Sequence, residues 1–83
     1  MKTFEIGKTY TTNFIGDHTL FITFMVTDRT AKTVTLQNII TKEISKRKII
    51  DHIIKRDGIE AVYPNGHYSM APILTAEDIF EEV

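Results

Sequence analysis

Apolar and polar residues alternate with a period of two along much of this chain, and that alternation predicts strands. From Phe4 to Tyr10 the order Phe-Glu-Ile-Gly-Lys-Thr-Tyr puts Phe4, Ile6, Lys8 and Tyr10 on one face of a first strand, weakened locally by Gly7. A turn is expected at Gly16-Asp17. Thr19 to Thr27 then reads Thr-Leu-Phe-Ile-Thr-Phe-Met-Val-Thr, an apolar run suited to a central strand. Asp28-Arg29-Thr30-Ala31 is a short polar connection. After it, Thr33 to Gln37 turns Val34 and Leu36 inward and the threonines outward, which completes a hairpin.

The stretch from Thr41 to Arg56 supports two periods. Ile49, Ile50, Ile53 and Ile54 fit a helix that Ser45 caps and Gly58 ends, yet Lys46-Arg47-Lys48 would then crowd charge onto the positive end of the helix dipole. That conflict favours a third long strand over Lys42 to Ile50, antiparallel to Thr33–Asn38. Ile59 to Tyr63, stopped by Pro64, and Ala71 to Leu74 are expected as short strands. Thr75-Ala76-Glu77-Asp78 has the spacing of a helix start, so Ile79 and Phe80 are expected to pack down in a short C-terminal helical turn. Five to six strands predict a mainly β fold. A small antiparallel barrel, SH3-like or OB-like, is the natural form, because closure removes the exposed edges that so short a chain cannot otherwise cover.

Composition agrees. Thirteen Ile and twelve Thr supply the β-branched side chains that suit a pleated surface. The 83 residues make one domain, 1–83, whose small core leaves a homodimer open. With no cysteine, disulfides, thiolate metal sites and a cysteine nucleophile are excluded, which fits the cytoplasm. The opening Met-Lys-Thr-Phe-Glu-Ile-Gly-Lys lacks the apolar stretch of a signal peptide, and no run reaches the ~20 apolar residues that span a bilayer, so no membrane partner is expected.

Catalytic chemistry finds little footing. Ser45 and Ser69 stand in no nucleophile-elbow pattern, and His18, His52 and His67 include no pair at i and i+4. The four glycines are isolated, so no phosphate-cradling loop exists. No enzyme, metal or cofactor is expected.

Phe4-Glu5-Ile6-Gly7-Lys8-Thr9-Tyr10, Arg29-Thr30-Ala31-Lys32-Thr33-Val34-Thr35 and Gly66-His67-Tyr68-Ser69-Met70-Ala71-Pro72 together span most of the chain. With these blocks the chain resembles a group of small uncharacterised proteins carried on plasmids and conjugative elements of gut bacteria. The resemblance implies a mobile genetic element as the setting and assigns no residue a role.

Charge leaves two binding readings. Every Lys and Arg lies at or before Arg56, where bases outnumber acids by five, and six acids with no base follow. Arg29, Lys32, Lys46, Arg47 and Lys48 are the candidates for nucleic-acid phosphates, with Lys42, Lys55 and Arg56 nearby in sequence and Tyr10, Phe14, Tyr63 and Tyr68 as stacking partners. The net charge of −1 weighs against a dedicated binder. Tyr63, His67 and Tyr68, set among turn formers, are the candidates for a protein contact, such as inhibition of a host defence protein.

Overall fold

The computed structural model describes residues 2–14, 17–66 and 71–79. Its main element is an antiparallel sheet of four strands in sequential order: β1 (Thr9–Phe14), β2 (Asp17–Arg29), β3 (Thr33–Asn38) and β4 (Ile44–Lys48). Register follows burial. Tyr10 lies opposite Phe24, Val26 opposite Leu36, and all four side chains are buried on one face. A slip of one residue would carry this set into water, so the alternation that marks the strands also fixes their pairing.

The first strand starts later than its alternation suggests. Residues 6–7 form a turn, with Gly7 at φ 86°, a conformation that side chains other than glycine's resist, and Ile6 is left 59 % exposed. The reversal serves the core. It brings the Phe4 ring edge-on to Tyr10, centroids 4.9 Å apart, with both rings buried.

The ambiguous stretch divides. Strand β4 ends at Lys48, and Asp51–Asp57 forms a seven-residue helix, α1. Lys46, Arg47 and Lys48 therefore belong to the strand, and the dipole conflict disappears. Asp51 instead occupies the helix's first turn and Lys55 and Arg56 its last, the favourable arrangement. Ile50, not Ser45, precedes the helix, while Gly58 ends it, as in the helical alternative that the charge argument disfavoured, at φ 69° with its N–H donating to Ile54 O. Ile49, Ile50 and Ile53 are buried, Ile49 in the main core and the other two in a second cluster with Ala61.

The remaining strands are shorter than expected. Ala61–Val62 (β5) and Leu74–Thr75 (β6) make a separate two-stranded sheet, so among the described residues the barrel does not close. Two-residue strands offer too few ladder bonds to close one. Single bonds cross the gaps instead: Ile50 N–H to Ala61 O, Ala76 N–H to Glu60 O, and Thr11 N–H to Asp78 O. The expected C-terminal helical turn begins as a capping motif, with Thr75 N–H on Asp78 Oδ2 and Glu77 N–H on Thr75 Oγ1. It does not propagate, because the next residue, Ile79, is drawn into a bridge with Tyr10. Phe80 lies outside the described residues, as does Gly16 of the turn expected at Gly16-Asp17, while Asp17 begins β2.

Candidate functional site

One face of the four-stranded sheet packs on the core. The other carries Thr11 and Thr23, whose hydroxyls bond at 3.0 Å, and Thr33 and Thr35 of β3. Strand alternation distributes the basic candidates between these faces. In β4, Lys46 lies opposite Thr35 and Lys48 opposite Thr33, so both stand exposed on the outer face. Lys32 joins them at the same corner, since its carbonyl accepts the Ile49 N–H just beyond Lys48. Arg47 takes the opposite parity. It lies across from buried Val34 and donates from Nε to Pro64 O at 3.1 Å.

Arg29 is removed from the set altogether. Between Val26, opposite Leu36, and Asp28, opposite Thr35, Thr27 is an extra residue on β2, and such a bulge exchanges the two faces for everything after it. Arg29 thereby comes opposite Val34, facing the core, where Nη1 and Nη2 meet Glu60 Oε1 and Oε2 at 2.6 and 2.9 Å. Phe4 closes the network. Its N–H donates to Glu60 Oε1 and its carbonyl accepts from Arg29 Nη1 at 2.7 Å. Burial pushes the Glu60 carboxyl up, but the guanidinium and the Phe4 N–H outweigh it and hold the group below its ordinary value. The same bond raises Arg29 further. This pair pins the N-terminal segment to the sheet and is no phosphate contact.

The aromatic candidates also divide. Tyr10 is fully buried, its hydroxyl accepting the Glu5 N–H, and burial pushes the phenol up, so it cannot stack on a base. Tyr63 is half-buried against the cluster of Ile50, Ile53 and Ala61. His67 and Tyr68 lie outside the described residues, and nothing is described of the Phe14 side chain.

An apolar surface that includes Leu20 and Phe21 of the expected central strand lies at the other end of the sheet. Strand β3 stops at Asn38, whereas β2 runs on past it toward Asp17. Phe21, Ile22, Thr23, Asn38, Ile39 and Ile40 consequently border an open cleft of about 460 Å³. Leu20, Phe21, Ile39, Ile40 and Ile44 are all exposed there, Ile40 to 81 % and Phe21 to 65 %. The available signal was length: the apolar run of β2 extends beyond what the Thr33–Asn38 partner can cover.

Among the described residues no buried side-chain polar atom lacks a hydrogen bond, and no helix is long and apolar enough to cross a membrane. Compared with known proteins, the chain matches no family model, no curated protein and no solved structure.

Proposed function

We propose that this protein is a non-enzymatic binding module that engages nucleic-acid phosphates at the basic corner of its outer sheet face, as a cytoplasmic accessory of a mobile genetic element. The observation that carries the reading is the placement of Lys46 and Lys48 side by side on one uncovered face, beside the hydroxyl-bearing Thr33 and Thr35, with exposed Lys32 at the adjoining corner of the sheet. Lysine ammonium groups and threonine hydroxyls contact phosphate without reading sequence, so the expected mode is backbone binding. The block resemblance supports the mobile-element setting.

Titration of labelled single-stranded and duplex oligonucleotides against salt tests it. Three phosphate contacts predict a log–log slope of about −2 to −3. Lys32→Gln/Lys46→Gln/Lys48→Gln should abolish binding, while Arg56→Gln, on the helix, should leave it intact. Absence of binding at low salt, or an unchanged slope in the triple variant, would sink the proposal.

A second reading, a protein-binding module, is favoured by the apolar end of the sheet. Five exposed large hydrophobics gathered at one end are unusual for a surface with no partner.

A further inference from the structure

The apolar end has an occupant that its own chemistry selects, and we propose that it is a second copy of this chain, seated across a two-fold axis near Phe21. This surface lies toward the opposite end of β4 from Lys48, and its readout, the mass in solution, is distinct from that of the nucleic-acid reading.

Three observations select a second copy. The first is area. The exposed fractions of Leu20, Phe21, Ile39, Ile40 and Ile44 add to about three whole side chains, on the order of 500–600 Å². A stable dimer buries about 800 Å² on each partner, which the rim residues Thr41, Lys42 and Glu43 bring within reach. The second is symmetry. About Phe21, β2 reads Thr19-Leu20-Phe21-Ile22-Thr23, the same polar–apolar order in both directions. A two-fold axis there sets the exposed Phe21 near its own mate, while Ile22 stays packed on the core of its own copy. The third is charge. The five apolar residues carry none, and the exposed rim pair Lys42 and Glu43 has opposite signs side by side, so two copies meet without a net like-charge repulsion at this rim.

The dimer also follows from what the fold leaves undone. Strand β2 outruns β3, the Ile39 N–H reaches back only as far as Thr23 O, and beyond that bond Leu20 and Phe21 stay more than half exposed. Contact with a second copy covers them.

Sedimentation equilibrium with light scattering, from about 1 to about 500 µM chain, tests the proposal. The expected mass is about 19 kDa at high concentration, twice the 9.5 kDa of one chain, falling toward 9.5 kDa on dilution. Ile40→Glu and, separately, Ile44→Glu place a buried charge at the interface and should hold the protein at 9.5 kDa throughout. Both positions are exposed in the single chain, so circular dichroism should show an unchanged fold. A wild-type mass of 9.5 kDa at every concentration would overturn the proposal and leave the patch to a different protein. Variants that still weigh 19 kDa would overturn it equally, placing self-association on another surface.

Discussion

Replacing Glu60 with glutamine should break the buried ion pair that ties the N-terminal segment to the sheet. The carboxylate accepts three N–H bonds, two from Arg29 at 2.6 and 2.9 Å and one from Phe4 at 2.8 Å, and it sits almost wholly inside the protein. Glutamine keeps one acceptor oxygen but turns an NH2 toward a guanidinium that can only donate, leaving a charge without its counterpart. Removing one member of a buried pair costs about 3–5 kcal/mol. Because the Arg29 side chain retains a fifth of its surface in water, part of that is recovered, and the expected loss is about 2–4 kcal/mol. In a domain of total stability near 4–12 kcal/mol, the melting midpoint should fall by on the order of 10–25 °C. Urea and thermal melts at pH 7 measure both. Arg29→Met/Glu60→Leu, which removes both charges, should lose less than the two single variants combined, because no orphaned charge remains. The sign with pH follows from the lowered carboxyl. Its contribution is complete above the unfolded-chain value of about 4.3 and is lost as pH falls through the lower folded-state value. Glu60→Gln should flatten that acid limb. A loss below about 1 kcal/mol for Glu60→Gln, or additive losses in the double variant, would refute the network's role.

Three further substitutions probe the frame. Gly58→Ala places a side chain at φ 69° with nothing within 4 Å of its Cβ, so its cost is purely conformational, about 1–2 kcal/mol by urea titration, with the helix end as the first region to lose amide protection. Leu36→Ala should cost about 2–5 kcal/mol because the side chain is fully buried opposite Val26, whereas Leu20→Ala, from an equally apolar stretch of sequence but half-exposed, should barely move the single-chain melt.

The candidate surface was legible only in part. Lys46 and Lys48 share a face because strand parity is a property of the sequence once β4 is placed. Arg47 was excluded by that same parity, and Arg29 by the Thr27 bulge, whose extra residue leaves no mark in a run that alternates smoothly through it. Phe21 falls in an apolar run that reads as a central strand, and Ile40 in none of the predicted elements. Their exposure depends on where β3 happens to end relative to β2, a comparison between strands that no single stretch contains.

The sequence by itself determined what local physics can decide. Its β-branched residues and alternation set the antiparallel class, and they place Val34 and Leu36 inside. Gly58 marks the end of the helix, because a left-handed residue is needed there and glycine supplies it without strain. Tertiary structure alone decided the turn at Gly7 that folds Phe4 back onto Tyr10, the burial of Glu60 beneath Arg29, and the open arrangement of two sheets in place of a closed barrel. The last two depend on contacts between residues far apart in the chain, Phe4 with Glu60 and Thr11 with Asp78 among them, whose energies exist only once the chain has brought them together.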